Sequence, residues 1–349
     1  MLIRVTLRVL FRIVEILVNF LLGSTIKTAL ITGVGGQDGA YLARLLLSKG
    51  YRVFGASRDD NFSILANLNT LGVETRIHRV SINLIDFRSV LQGLIQVNPD
   101  EVYNLAGQSS VGLSFEQPVE TLESIATGTL NLLEAIRFIG KPIRLYSAGS
   151  SECFGDTGTL AANEETPFRP RSPYAVAKAT AFWLVANYRE AYSLFACTGI
   201  LFNHESPLRG SRFVTRKIVQ AACSIAAGSD ERLRLGNIDI ARDWGWAPEY
   251  VEAMWLMLQQ PAPNDYVIAT GKTRRLEYFI ELVFGACGLD WREWVDVDQS
   301  LFRPTDLREG HADPSKAARE LSWCAQVSFE EIALRMVAVE SGQVCAMDV

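Results

Sequence analysis

A short apolar run, Thr28-Ala-Leu-Ile-Thr32, breaks without a linker into Gly33-Val-Gly-Gly36-Gln-Asp-Gly39, and no other junction constrains the fold of this chain so tightly. Behind it, Ala40–Lys49 has the spacing of an amphipathic helix that stops at Gly50, and Tyr51–Gly55 reads as a second strand. A strand that turns on glycines into a helix and then a second strand is the unit that binds dinucleotides. Gly33, Gly36 and Gly39 permit a tight turn, close approach of backbone to a pyrophosphate, and close packing of the helix. The helix N-terminus adds amide donors and a positive dipole.

The end of the second strand chooses between cofactors. An acidic residue there holds the ribose hydroxyls of NAD, whereas an Arg accommodates the 2′-phosphate of NADP. The order is Ala56-Ser57-Arg58-Asp59-Asp60. Ser57 and Arg58 favour NADP, while Asp59 and Asp60 would repel a phosphate if they pointed inward; the balance is towards NADP. Further alternation follows. Arg76–Ser81 reads as a strand, Asp86–Asn98 as a helix, Glu101–Ala106 as a strand, Thr127–Ile139 as a helix and Ile143–Ser147 as a strand. This pitch predicts an α/β fold with a Rossmann-type, doubly wound parallel sheet. Ligands in such sheets sit beyond the carboxyl ends of the strands. The loops Gly33–Gly39, Ala106–Ser110 and Ser147–Glu152 lie there.

Tyr174-Ala-Val-Ala-Lys178 follows Pro173 among good helix formers, so both side chains share one helix face. A phenol is a poor base at neutral pH because its pKa is near 10. A neighbouring ammonium is expected to lower it towards the working range, which makes the pair an acid/base couple. Tyr and Lys also fall four apart by chance, so the surrounding motifs decide.

Beyond the pair, Cys197–Phe202 is strand-like and runs into Asn203-His-Glu-Ser-Pro. Phe213–Lys217 leads a helix to Ala227, Leu233–Gly236 is a short strand, Tyr250–Gln259 a helix and Tyr266–Ala269 a strand. The expected division is an N-terminal extension over 1–26, a dinucleotide-binding domain over 27–203, and a smaller C-terminal α/β lobe over 204–349 that holds most of the substrate site, with chain crossing back to the main sheet. Lys217, Arg242 and Arg303 are spread through that lobe. They suit a diphosphate-bearing substrate, or are surface cations with local partners.

With 48% hydrophobic residues and seven Trp in 349, the chain can bury a large core. A net charge of −5 without a basic stripe argues against nucleic acid. Six scattered cysteines without Cys-x-x-Cys and three histidines outside ligand spacing argue against a disulfide framework or a metal site, and for the cytoplasm. In residues 1–26, Arg4, Arg8, Arg12, Glu15 and Asn19 recur at helical spacing among apolar residues. The charges rule out a convincing membrane span. What remains is weak peripheral membrane or partner association through residues 1–22, an appended segment without a role, or a packed helix.

From Lys27 to about Met336 the chain resembles the extended short-chain dehydrogenase/reductases, and within them the GDP-mannose 4,6-dehydratases. The resemblance rests on Ala29-Leu-Ile-Thr-Gly-Val-Gly-Gly-Gln-Asp-Gly-Ala-Tyr-Leu, Glu101-Val-Tyr-Asn-Leu-Ala, Ser114-Phe-Glu-Gln-Pro, Arg171-Ser-Pro-Tyr-Ala-Val-Ala-Lys, Gly199-Ile-Leu-Phe-Asn-His-Glu-Ser-Pro, Phe213-Val-Thr-Arg-Lys and Arg242-Asp-Trp-Gly. It implies a tightly held NADP and a reaction with no net redox change. Tyr174, assisted by Lys178, would take the proton of the hydroxyl on sugar carbon 4 as hydride passes to the cofactor. Glu152 would remove the hydrogen on carbon 5 and help expel the carbon-6 hydroxyl as water; Ser150 would bond the reacting oxygen. The resemblance also implies cofactor contacts at Gly33, Gly36, Gln37, Asp38, Arg58, Asn83, Leu84, Leu105, Ala106, Ser109, Tyr174, Lys178, His204 and Arg209. His204 would support or contact the cofactor rather than act as a catalyst or metal ligand. Asn203, Lys217, Arg242 and Arg303 would contact the GDP-sugar, and the assembly would be a homodimer or homotetramer. The chain departs from the family at Gly35 (usually Thr), Asn83 (usually Asp), Asp59 (usually Arg), Ser150 (usually Thr), Phe154 (usually Tyr) and in Leu307–His311. A GDP-heptose in place of GDP-mannose, and a nucleotide-sugar 4-epimerase or 4-keto reductase, are the alternatives.

Overall fold

The computed structural model describes residues 26–58 and 66–348; the N-terminal helix expected before residue 26, together with Asp59 and Asp60, lies outside the described residues. The main sheet is seven-stranded and parallel. It contains β1 (Thr28–Thr32), β2 (Arg52–Ser57), β3 (His78–Ser81), β4 (Glu101–Asn104), β5 (Arg144–Ala148), β6 (Ala196–Leu201) and a late arrival, β10 (Tyr266–Ile268). Their spatial order is β10-β6-β5-β4-β1-β2-β3. Every residue of β1 is buried, as a strand covered on both faces requires, which is why its sequence shows a solid apolar run instead of alternation. The order reverses between β1 and β4, so a crevice opens beyond their carboxyl ends.

The longer helices are α1 (Gln37–Ser48), α2 (Phe87–Val97), α3 (Gly128–Ile139), α4 (Pro173–Tyr192), α5 (Val214–Ala226), α6 (Ala247–Gln259), α7 (Leu276–Ala286) and α8 (Phe329–Glu340). Several are punctuated by residues readable in the sequence. Asp86 caps α2 by accepting from the Arg88 N–H at 2.9 Å, and Asn98 ends it in the left-handed region at φ 49°. Ser172 caps α4 by accepting from the Ala175 N–H at 3.1 Å, with Pro173 in the first turn. None of the described helices is long and apolar enough to cross a membrane.

Residues after β6 build β7 (Asn203–Glu205), β8 (Leu233–Leu235), β9 (Ala241–Trp246), β11 (Thr273–Arg275) and β12 (Val295–Val297). These form a three-stranded sheet ordered β11-β9-β7 and a β12-β8 pair. Here α5, α7 and α8 enclose a core of Trp244, Trp246, Phe279, Phe284, Ile332 and Met336. Between these strands the chain returns to the main sheet: α6 packs on α1, and β10 extends the edge beyond β6.

Candidate active site

The turn after β1 is folded hard against α1. Gly33 takes φ +70°, and a Cβ there would stand 2.9 Å from the Ala106 amide nitrogen. A Cβ at Gly39 would meet the Gly33 carbonyl oxygen at 2.3 Å. α1 begins at Gln37 rather than Ala40, so Gln37 and Asp38 belong to its first turn and not to the preceding loop. Their side chains turn inward. Gln37 donates to the His204 carbonyl at 3.2 Å and accepts from the Ser206 hydroxyl at 2.8 Å. The Asp38 carboxylate accepts from His204 Nε2 at 2.9 Å, while His204 Nδ1 donates to the Phe202 carbonyl at 2.8 Å. Set between a carbonyl and a carboxylate, the ring is placed to donate from both nitrogens, as an imidazolium does. Burial raises Asp38 and opposes the charge on His204, but their mutual attraction wins: Asp38 is held below the usual carboxylate range and His204 above the usual histidine range. What these first-turn residues offer a ligand is therefore mainly backbone N–H.

A cavity of about 740 Å³ lies over this turn, lined by Gly33, Gly36, Gln37, Asp38, Arg58, Asn83, Leu84, Leu105, Ala106 and Ser109. Arg58 sits exposed at the end of β2. Next to it, the Ser57 hydroxyl is buried with no hydrogen-bond partner among the described residues. A glycine cradle at a helix N-terminus, an orphaned hydroxyl and an arginine at the second strand's end fit an NADP. Asn83 contributes an amide whose oxygen accepts from the Ile85 N–H at 3.4 Å.

A second cavity, of about 390 Å³, adjoins the first and is lined by Ser150, Glu152, Tyr174, Lys178, Asn203, His204, Arg209, Lys217, Arg242 and Arg303. The end of β5 turns through Gly149 into one turn of helix at Ser151–Phe154. Ser150 caps that turn by accepting from the Glu152 N–H at 3.3 Å. Tyr174 and Lys178 come from the first two turns of α4. Every candidate read from the sequence thus lines one cavity or the other.

The expected effect of Lys178 on Tyr174 is not what the structure shows. Burial holds the Tyr174 phenol above its ordinary value; Ser150 pulls it down, but not enough to offset desolvation. Lys178 donates to the Ala148 carbonyl at 2.7 Å and lies 5.8 Å from the Tyr174 ring centroid. Burial lowers it to about 8. Spacing alone could not reveal this desolvation. Glu152 is pushed up by the same cause, against the pull of Arg242 and Arg303.

Arg242 is no surface cation. Buried in β9, it donates to the carbonyls of Ala241 (2.9 Å), Arg308 (3.2 Å) and Leu307 (2.6 Å). Asp306, missed in the sequence reading, stands between the arginines, 3.6 Å from Arg242 and 3.7 Å from Arg303. Its position three residues after Arg303 was the available signal. Arg209 is held by Glu205 at 3.4 Å and stacks 3.9 Å over the Phe213 ring. Lys217 is exposed at the start of α5, without an ion pair among the described residues.

Known proteins resemble this chain in sequence and in fold. The sequence profile of the family described as GDP-mannose 4,6 dehydratase matches residues 30–336. GDP-mannose 4,6 dehydratase 2 of Arabidopsis thaliana is 48% identical over 323 residues, covering 89% of this chain and 86% of its own. The GDP-mannose 4,6-dehydratase of Sinorhizobium fredii is 45% identical, over 89% and 95%. Among solved structures, UDP-glucose 4-epimerase of Thermus thermophilus in complex with NAD superposes with a TM-score of 0.80 at 25% identity, covering 91% of this chain and all of its own. RMD of Pseudomonas aeruginosa complexed with NADPH, at 21% identity and a TM-score of 0.75 over 91% and 100%, shares the fold. Matched over nearly its whole folded length by the profile and by relatives above 40% identity, the chain belongs to the GDP-mannose 4,6-dehydratase family.

Proposed function

We propose that the chain is a GDP-mannose 4,6-dehydratase, a hydro-lyase that converts GDP-mannose to GDP-4-keto-6-deoxymannose with NADP in the larger cavity. The observation that carries this reading is Glu152. It is a carboxylate raised by burial, and it shares a cavity with the Tyr174–Lys178 pair. Bound NADP would supply the reversible redox chemistry, oxidising sugar carbon 4 and later reducing carbon 6. In its phenolate form Tyr174 takes the proton from the carbon-4 hydroxyl while Ser150 hydrogen-bonds the same oxygen; burial disfavours that form, so the Lys178 ammonium, one helical turn on, must be charged to support it. The ketone acidifies the hydrogen on carbon 5. Glu152 takes that proton and delivers it to the carbon-6 hydroxyl, which leaves as water; carbon 5 regains a proton when carbon 6 is reduced, and the proton released from the carbon-4 hydroxyl balances it. A raised pKa suits a group that must both take and give a proton near neutrality. Arg242, Arg303 and Lys217 hold the diphosphate, and Asn203 lines the cavity beside them.

On this reading residues 27–203 supply the cofactor half and 204–349 most of the sugar-nucleotide half. Val176 and Trp183, two turns apart on α4, are exposed, as is Phe138 on neighbouring α3. These exposed apolar side chains support association as a homodimer or homotetramer. The six unpaired cysteines suit a reducing cytoplasm.

The test is incubation of purified protein with GDP-mannose and no added nicotinamide. A 4-keto-6-deoxy product is expected; an epimer, or a requirement for external NADPH, would refute the reading.

A further inference from the structure

Six residues line both cavities at the seam between them: Asp38, Leu105, Ser109, Arg209, Arg212 and Phe213. Three carry charge, and two of those are already committed. Asp38 is paired with His204, and Arg209 with Glu205. Arg212 is exposed, and its guanidinium makes no hydrogen bond or ion pair among the described residues. Its backbone is nevertheless well placed. The turn that carries it is closed by hydrogen bonds from the Arg209 N–H to the Ser206 carbonyl and from the Phe213 N–H to the Gly210 carbonyl, both at 3.0 Å. That turn leads directly into α5, which presents Lys217 to the smaller cavity.

An exposed arginine is ordinarily a solvated charge. This one stands where two phosphate-bearing occupants would meet, and their like charges would repel across the seam. A guanidinium has five N–H donors in a fixed fork and can donate to acceptors on both sides at once. We infer that Arg212 is a positioning residue that bridges the two anionic occupants, so that each strengthens retention of the other. The inference rests on reading the larger cavity as the NADP site and the smaller as the GDP-sugar site. Coupling between sites typically amounts to about 5–150-fold, and a single bridging cation belongs near tenfold.

The experiment follows release of NADP from the purified holoenzyme with and without saturating GDP. Parent, Arg212→Ala and Arg212→Lys proteins are compared. GDP is expected to slow release about tenfold in the parent and no more than about twofold in Arg212→Ala. Arg212→Lys keeps the charge but loses the fork, so it falls between them and guards against a folding defect in the alanine variant. Equal slowing in parent and Arg212→Ala, or no slowing in the parent, overturns the inference. Either result leaves dehydration of GDP-mannose by the parent protein intact, so the functional reading is judged separately by its product assay.

Discussion

Gly39→Ala adds one methyl group and tests the geometry on which cofactor binding depends. The new carbon would lie 2.3 Å from the Gly33 carbonyl oxygen, 2.6 Å from Val34 Cα and 2.8 Å from the Val34 carbonyl carbon. All three are backbone atoms, so no side chain can swing away. Relief to ordinary contact requires α1 and the glycine turn to part by about 1 Å, and overpacking of this kind costs about 1–3 kcal/mol. Alanine's better helix propensity returns up to about 1 kcal/mol. The net destabilisation is therefore modest, on the order of 1–2 kcal/mol. The functional loss is larger, because a displacement of about 1 Å at a positioning element can cost on the order of 100-fold. Gly285→Ala makes the same chemical change in α7, where nothing lies within 4 Å of the new carbon. It is expected to stabilise slightly, by up to about 1 kcal/mol. Thermal melting and the stoichiometry of NADP retained through purification would be measured for both. Parent-like NADP retention by Gly39→Ala would refute the argument that the turn tolerates no displacement.

Glu152→Gln should lower product formation by about 10²–10⁴-fold while bound nicotinamide still becomes reduced on mixing with GDP-mannose; full dehydration would show that the carboxylate is not the proton carrier. Activity should decline as pH rises through about 8, where Lys178 loses its proton, and Lys178→Met should lack that limb of the profile. Because His204 is raised above 6.5 on folding, its contribution to stability is complete below 6.5 and is lost as pH rises through the folded value. Asp38, lowered below 3.8, contributes above 3.8 and loses that as pH falls through its folded value. Asp38→Asn should therefore melt lowest, relative to the parent, between about pH 4 and 6.5, with the gap closing at alkaline pH; a pH-independent gap would contradict the ion pair. Glu101 accepts from Lys27 (2.9 Å), Tyr51 (3.1 Å), Tyr103 (2.8 Å) and Gln259 (3.2 Å) at the end of the sheet remote from both cavities. Glu101→Gln should cost about 3 kcal/mol of stability and leave kcat unchanged, as denaturant titration beside a rate assay would show.

The elements whose character is written locally were legible in the chain. β1 reads as an apolar run, and Asp86, Asn98 and Ser172 announce helix ends through side-chain or left-handed caps. The start of α1 was not legible, since Gly36 offers no side-chain cap and nothing marks Gln37 as helical. β9 was missed for another reason. Its sequence, Ala-Arg-Asp-Trp-Gly-Trp, buries Arg242 and Asp243, and those charges are tolerated only because partners distant in the chain satisfy them. Asp243 accepts from the N–H groups of Thr270 (2.9 Å) and Lys272 (3.0 Å), and Arg242 donates to the carbonyls at 241, 307 and 308 with part of its fork, leaving other N–H donors for a ligand. The residue types of the catalytic cavity could be identified from motifs, but their protonation could not. Spacing placed Lys178 beside Tyr174, whereas only the surrounding burial shows that both are desolvated.

The return of β10 to the edge of the main sheet has a consequence for synthesis. A nascent chain that ends near Leu201 has made six of the seven strands, yet β6 still presents an unpaired edge and α6 is not there to cover α1. About 67 more residues must be translated before Ile268 can close that edge. At about 5–20 residues per second this leaves the half-built sheet open for several seconds. An open parallel edge of this kind is a template for pairing with other chains. The protein should accordingly depend on chaperones during synthesis more than its finished stability suggests, and a fragment truncated at the end of β6 should aggregate rather than fold.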